Sequence, residues 1–201
     1  MRDFMPSNQA HWDKAYEDTD STQLGWFQES HDVSLELIGK CVGNSIIDVG
    51  SGATTLLQDL IDKKYQVTAL DISKVAIEKL KENYGNKINY IEGNLTDDLN
   101  LSGYEIWHDR AVLHFLLEQR ERDAYLRNLN SAIKSGGYAV IETFSTDGAQ
   151  MCCGLDLHTY DEQMLVDFFA NDWELLDSIR HIHINPRGGE RPYVSTLFKK
   201  I

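Results

Sequence analysis

Short apolar runs rich in β-branched residues alternate with stretches whose apolar positions recur every three or four residues. Ser45-Ile46-Ile47-Asp48-Val49 reads as a buried strand closed by Gly50-Ser51-Gly52, and Leu56, Leu57, Leu60 and Ile61 follow at helical spacing. Gln66-Val67-Thr68-Ala69-Leu70 predicts a second strand, and Ser73 is a suitable N-cap for a helix carrying Val75, Ile77 and Leu80. Lys87-Ile88-Asn89-Tyr90-Ile91 predicts a third strand and Tyr104-Glu105-Ile106-Trp107-His108 a fourth. A helix over residues 120–133 turns Tyr125, Leu126, Leu129 and Ile133 to one side. Ser135-Gly136-Gly137 is expected to stop it, because glycine tolerates the left-handed cap. Tyr138-Ala139-Val140-Ile141-Glu142-Thr143 is the fifth strand.

Strand–helix–strand, repeated four times, demands parallel pairing through right-handed crossovers, with helices on both faces. Beyond it lie a helix over 162–170, extended runs over 173–185 and 193–198, and the turn Pro186-Arg187-Gly188-Gly189 between them. Two strands joined by a short glycine-rich turn pair antiparallel. The expected fold is therefore α/β, a doubly wound sheet of seven mostly parallel strands ending in an antiparallel C-terminal hairpin. Before the first strand, Ser7 is placed to cap a helix with His11, Trp12, Ala15 and Tyr16, and Ser30 one with Val33, Leu35, Leu37 and Ile38. Ligands of open α/β sheets lie beyond the carboxyl ends of the strands. The aromatic N-terminal segment, with Trp12, Trp26 and Phe27, either lids that edge or plugs the core. No repeat or low-complexity linker divides the chain, so one domain over 1–201 is expected. Residues 1–43 form its helical lid segment, 44–145 the ligand-binding core, and 146–201 the acceptor loop and last strands.

The 201 residues are 42% hydrophobic and 25% charged, which excludes a disordered chain, a collagen-like repeat and a membrane bundle. A net charge of −13, with no Lys/Arg run longer than two, makes nucleic acid and membrane unexpected partners and favours a cationic or neutral ligand. Cys41, Cys152 and Cys153 are too few for a disulfide scaffold. The first residues carry no apolar signal core, and no apolar run reaches eighteen residues. A cytoplasmic protein, monomer or weak dimer, is expected.

Asp48-Val49-Gly50-Ser51-Gly52 leaves a strand and enters a helix, and its glycines let the backbone bend sharply and approach a ligand. Nineteen residues after Gly52, Asp71 closes the second strand, where a carboxylate can accept hydrogen bonds from both ribose hydroxyls. The combination points to an adenosine-containing cofactor. A dinucleotide fingerprint wants glycine where Thr55 stands, and Asp48 would repel a diphosphate. A sulfonium bearing an ammonium group, S-adenosylmethionine, suits that carboxylate better.

The run Ile46-Ile47-Asp48-Val49-Gly50-Ser51-Gly52-Ala53-Thr54 resembles motif I of the class I S-adenosylmethionine-dependent methyltransferases. Leu70-Asp71-Ile72-Ser73 resembles their acidic motif II, and Ser135-Gly136-Gly137-Tyr138 the turn before their fifth strand. The likeness covers residues 44–145 and extends to His11-Trp12-Asp13-Lys14-Ala15-Tyr16, similar to the lid helix of several subfamilies. Asp109-Arg110-Ala111-Val112 resembles the Asp-Arg-Gly-Ala segment of thiopurine S-methyltransferase-like enzymes. Two positions depart from the pattern. Thr54 replaces the third motif I glycine, and Asn94 replaces the usual Asp at the adenine edge, where its amide oxygen can accept the same bond. The resemblance implies a Rossmann-like fold with S-adenosylmethionine as cofactor. Gly50, Ser51 and Gly52 would lie along its methionine and ribose, and Asp71 on the ribose diol. Ile72 and Leu95 would face the adenine with Asn94 at its edge, Trp12 would reach in from the lid, and Asp48 and Asp109 would lie toward the methionine end or the acceptor.

Methyl transfer from a sulfonium removes charge, so alignment and a dry pocket are the main needs, and a base is required only for a protonated nucleophile. Thiols ionise near neutral pH and need little help. His31, Asp109 and His114 are the candidate helpers, with His108 and His158 behind them. His181 and His183 alternate on one strand face as half a metal site without a third ligand, so no metal is expected. Cys152-Cys153 is either a soft-metalloid pair or simple loop packing, with Cys41 at the opposite sheet edge. No Asn/Asp-Pro-Pro-aromatic motif follows the fourth strand, which disfavours methylation of nucleic-acid bases. The expected function is methyl transfer to a small-molecule acceptor, thiol-type first. A protein-lysine N-methyltransferase, a non-catalytic cofactor-binding module and an NAD-dependent enzyme are the alternatives.

Overall fold

The computed structural model describes residues 9–201. Its helices are α1 (Gln9–Asp18), α2 (Asp32–Ile38), α3 (Leu56–Asp62), α4 (Lys74–Tyr84), α5 (Gln119–Ala132) and α6 (Glu162–Phe169). Its strands are β1 (Ser45–Val49), β2 (Gln66–Asp71), β3 (Asn89–Glu92), β4 (Tyr104–Arg110), β5 (Ile133–Phe144), β6 (Met151–Cys152), β7 (Leu155–Asp156), β8 (Trp173–Ile184) and β9 (Glu190–Lys200). Among the described residues the main sheet has seven strands in the order β3-β2-β1-β4-β5-β9-β8, and β6 and β7 form a separate small hairpin. The pairs among β1 to β5 are parallel, whereas β9 runs antiparallel to both β5 and β8. This is the seven-stranded, mostly parallel Rossmann-like arrangement that the hydrophobic pattern predicts.

Successive strand residues point to opposite faces, and both faces are buried. Ile46, Ile106, Val140 and Leu197 pack with α2, α3 and α4, while Ile47, Val49, Trp107, Ile141 and Phe198 pack with α5 and α6. Trp107 is fully buried and its indole N–H donates to Tyr125 Oη at 3.0 Å, so its polar atom is satisfied.

Four local expectations are corrected. The chain crosses from β3 to β4 through residues 93–103 without a helix. That segment is rich in Asn, Asp and Gly, and Asn128 of α5 takes over its backbone groups, donating to Leu95 and Asp97 carbonyls (3.0 and 2.7 Å) and accepting from Leu99 N (3.2 Å). Helix α5 ends at Ala132, ahead of the glycine pair, because β-branched Ile133 is already extended opposite Tyr104. Gly136, at φ +77°, therefore kinks β5, and Gly137 packs too tightly on the Glu105 backbone for a Cβ. Residue N-terminal to α2 is His31, not Ser30, and it makes no side-chain cap bond. Third-strand pairing begins at Asn89. The proposed cap Ser7 lies outside the described residues. No helix among them is long and apolar enough to cross a membrane.

Candidate active site

The β1–α3 turn sits at the carboxyl edge of the sheet. Gly50 and Gly52 both have positive φ, +63° and +55°, and a Cβ would strike the Val112 side chain at the first and the Tyr16 hydroxyl at the second. Ser51 fastens the turn, its N donating to the Leu70 carbonyl (3.1 Å) and its Oγ to the Asp48 carbonyl (2.7 Å). Gly52 N donates to Asp71 Oδ2 and Ser73 N to Asp71 Oδ1, each at 2.7 Å. Burial pushes the Asp71 carboxyl up to about 6 even though those two amides favour its charged form. Each oxygen keeps a second lone pair for a ligand donor.

A cleft with about 870 Å³ of empty space, its open mouth included, runs along this edge. Asp71, Ile72, Asn94 and Leu95 border it beside β2 and β3, Gly50 lies in the middle, and His114, Phe144 and Tyr193 border it near β5 and β9. Four strand spacings of ~4.8 Å separate β2 from β9, so the lining residues span roughly 19 Å of the sheet edge. A second cavity of about 540 Å³ opens under Trp26 and Phe27, lined by His31, Asp48, Ser51, Thr55, His108 and Arg110, with Gly50 shared. Asn94 Oδ1 accepts from Thr96 N at 3.0 Å, so the amide borders the cavity in a fixed orientation.

The N-terminal segment roofs both spaces. Trp12 meets Trp26 and Phe115 edge-on, with centroids 5.9 and 5.1 Å away. Trp26 Nε1 donates to Tyr16 Oη at 3.2 Å. Asp13 fastens α1 to the start of α4, accepting from Ser73 Oγ (2.7 Å) and Val75 N (3.2 Å), and Lys79 Nζ donates to the Tyr16 carbonyl at 2.6 Å. The same aromatics also pack on the core, Trp12 beside Phe115 and Phe144 and Trp26 beside Tyr16 and Leu24.

Beneath the turn lies a buried polar chain. His108 Nδ1 donates to Asp48 Oδ1 (2.6 Å) and Nε2 to Glu142 Oε1 (3.3 Å). Burial alone would lower the His108 pKa, but the two carboxylates raise it to about 9. Glu142 also accepts from Ser34 Oγ and from Ser195 Oγ (2.9 Å); burial would push its pKa up, yet His108 and His181 hold it well below the usual carboxylate range. An imidazolium thus cross-links β1, β4 and β5 under the ligand edge. Hydropathy patterns pass over this chain because its members sit singly within apolar strands.

Asp109, expected toward the ligand, is fully buried and borders neither cavity. Its carboxylate accepts from Tyr125 Oη (2.6 Å), Val112 N (2.9 Å) and Leu113 N (3.2 Å), and so shapes the β4 exit. His114 borders the large cavity, with Nδ1 accepting from Phe144 N at 3.3 Å, and burial lowers its pKa to about 3. It is a neutral ring whose proton sits on Nε2, which removes it as a general base. His31 shares a 2.9 Å bond with Thr55 Oγ1 in the smaller cavity, while His158 stacks edge-on against Tyr160 away from both. His181 and His183 bond to Ser195 Oγ and the Gly25 carbonyl, and no group of three metal-ligating side chains occurs among the described residues. Cys152 borders the large cavity with its sulfur 3.4 Å from that of Cys153, and Cys41 bonds to the Leu37 carbonyl ahead of β1. Sequence reasoning missed Arg110, which borders both cavities, and Asp13; single charged residues in loops and caps give no periodic signal.

Residues 47–139 match the family model described as a methyltransferase domain. This stretch is similar to a methyltransferase domain. It spans the β1 turn, Asp71, Asn94 and the β4 exit. The chain also resembles solved structures in fold. One is a protein described by its role in converting a disulfide bond into a thioacetal group during echinomycin biosynthesis (18% identity, 96% of this chain and 93% of that one, TM-score 0.77). Another is an S-adenosylmethionine-dependent methyltransferase from Anabaena variabilis (17%, 96% and 93%, 0.76). A third is the 1,6-didemethyltoxoflavin-N1-methyltransferase of Burkholderia thailandensis, solved with its acceptor and S-adenosylhomocysteine (16%, 96% and 79%, 0.67). At these identities the likeness is one of fold. No curated protein matches the chain. The finer likeness to thiopurine S-methyltransferase-like enzymes finds no confirmation in these matches.

Proposed function

We propose that this protein transfers a methyl group from S-adenosylmethionine to a small-molecule acceptor held under the aromatic lid. The observation that carries the reading is the convergence of Gly52 and Asp71, 2.7 Å apart through one hydrogen bond, at the rim of a cavity that continues well past a nucleoside. The residues fit the cofactor, since Gly50 and Gly52 leave a cradle that a Cβ would fill and Asp71 keeps lone pairs for a diol. When bound, the cofactor supplies an electrophilic methyl group on a sulfonium. Ile72 and Leu95 take the two faces of the adenine, Asn94 its edge, Asp71 the ribose, and Gly50, Ser51 and Asp48 the region of the methionine. Trp12, Trp26 and Phe115 exclude water over the reacting atoms, so the chain contributes alignment and desolvation.

Residues 9–27 serve as the lid, the β1 to β5 segment as the cofactor platform, and β6 to β9 as the wall of the acceptor chamber. A thiol-type acceptor suits a chamber in which His114 is no base. A lysine side chain would need a proton acceptor and an open groove, and the roof of α1 argues against one. The protein incubated with methyl-labelled S-adenosylmethionine and a cell lysate should label small molecules. Label confined to macromolecules would replace this reading with the protein-lysine one, and binding without turnover would favour a non-catalytic module.

A further inference from the structure

The β5 and β9 end of the large cavity combines apolar walls with hydrogen-bond donors that the protein leaves unused. His114 is completely buried, its Nδ1 is committed to Phe144 N, and its Nε2 has no partner. Arg110, at the end of β4, spends one Nη1 bond on the Trp26 carbonyl (2.9 Å), while its Nε and Nη2 are buried without partners. Its guanidinium carbon lies 5.2 Å from the centre of the Tyr193 ring, and that ring packs against Phe144, with centroids 4.7 Å apart. Buried donors are almost always satisfied, so unused ones bordering a cavity mark where a ligand supplies acceptors. Arginine offers only N–H groups, and so does the His114 ring once its Nδ1 accepts from Phe144 N, while aromatic walls fit a flat ring.

The other titratable groups facing this end do not compete for the donors. The Cys152 sulfur is engaged with Cys153, and Glu142, whose charge acts on both Arg110 and Tyr193, is taken up by His108, Ser34 and Ser195. Arg110 is the only lysine or arginine among the described residues that line this cavity.

We propose that Arg110 and His114 form an anion-recognition pair that selects a flat aromatic acceptor entering already ionised, as a thiolate or with an acidic ring substituent. This rests on the methyltransferase reading and narrows its acceptor class. In the thiolate case the sulfur electron pair forms the new bond to the methyl carbon as the old carbon–sulfur bond breaks toward the cofactor sulfur. Anion and sulfonium become two neutral thioethers, no proton is released, and no base is called for.

The test uses the full chain saturated with S-adenosylhomocysteine, with tryptophan fluorescence from Trp12 and Trp26 reporting binding. The probes are 4-nitrothiophenol at pH 8, where it is a thiolate, and its neutral analogue of the same shape, 4-nitroaniline. The anion should bind at least about tenfold more tightly. His114→Phe and Arg110→Gln should each remove most of that preference while leaving S-adenosylhomocysteine affinity and 4-nitroaniline binding near wild type, and His114→Gln, which retains an N–H, should restore part of it. Equal binding of the two probes by the wild-type protein overturns the proposal without any variant. An Arg110→Gln change that weakens S-adenosylhomocysteine as much as the thiolate also overturns it, because Arg110 then belongs to the cofactor. Calorimetry of the wild-type protein with S-adenosylhomocysteine reads the cofactor assignment separately, and the probe titrations are repeated without it.

Discussion

Replacing His108 with Phe removes the cation that Asp48 and Glu142 share and leaves two carboxylates in a dry sheet. His108 is about 1% exposed, so solvent screens little of the loss. Holding its pKa at about 9, against ~6.5 in an unfolded chain, corresponds to about 3 kcal/mol of preference for the imidazolium. Breaking a buried pair by deleting one partner costs ~3–5 kcal/mol, which agrees. For a chain of 201 residues each kcal/mol lowers Tm by about 2–4 °C, so His108→Phe should melt roughly 6–20 °C below wild type. Urea unfolding across pH adds a signature that packing alone would not produce. A raised folded-state pKa stabilises fully below the unfolded value and loses that contribution as pH rises through the folded one. The gap between wild type and variant should therefore be full below about pH 6.5 and shrink as pH rises through about 9. A gap below about 1 kcal/mol, or one that stays constant over that range, would refute the imidazolium bridge.

Other outcomes follow from the same geometry. Protonated Asp71 gives up acceptor capacity for a ribose diol, so calorimetric affinity for S-adenosylhomocysteine should fall as pH drops through about 6, and Asp71→Ala should cost ~1–3 kcal/mol at pH 7.5; a flat profile would remove Asp71 from the site. Gly52→Ala combines a positive φ with a collision at Tyr16, so it should lower Tm and S-adenosylhomocysteine affinity together, and wild-type values for both would contradict the described turn. Ala111 sits at φ +72°, a conformation in which alanine is strained, so Ala111→Gly should be neutral to about 1 kcal/mol stabilising in urea titration; a clear destabilisation would mean that the strain is absent.

The sheet was largely legible because strand runs such as Ile46-Ile47 and Val140-Ile141 are buried on both faces, and burial writes itself as continuous apolar sequence. The glycine turn and Asp71 were legible because backbone sterics and strand ends constrain where such residues fall. The end of α5 was misread because Gly136-Gly137 carries two possible meanings, a cap or a kinked strand, and tertiary pairing of Ile133 with Tyr104 decides between them. Asp109 was misplaced because a strand-end carboxylate can face either the ligand or the next turn, and Tyr125, sixteen residues away, captures it. His114 stood among the candidate helpers as a base, and Arg110 only within a quoted segment, since the significance of both lies in bonds they do not make.

The most direct measurement is a crystal structure of the full chain grown with S-adenosylhomocysteine. The adenine should lie between Ile72 and Leu95, both ribose hydroxyls should be within hydrogen-bonding distance of Asp71, and the sulfur should point along the cavity toward His114 and Tyr193. A nucleoside bound elsewhere, or an Asp71 still bonded to Gly52 and Ser73 alone, would contradict the account.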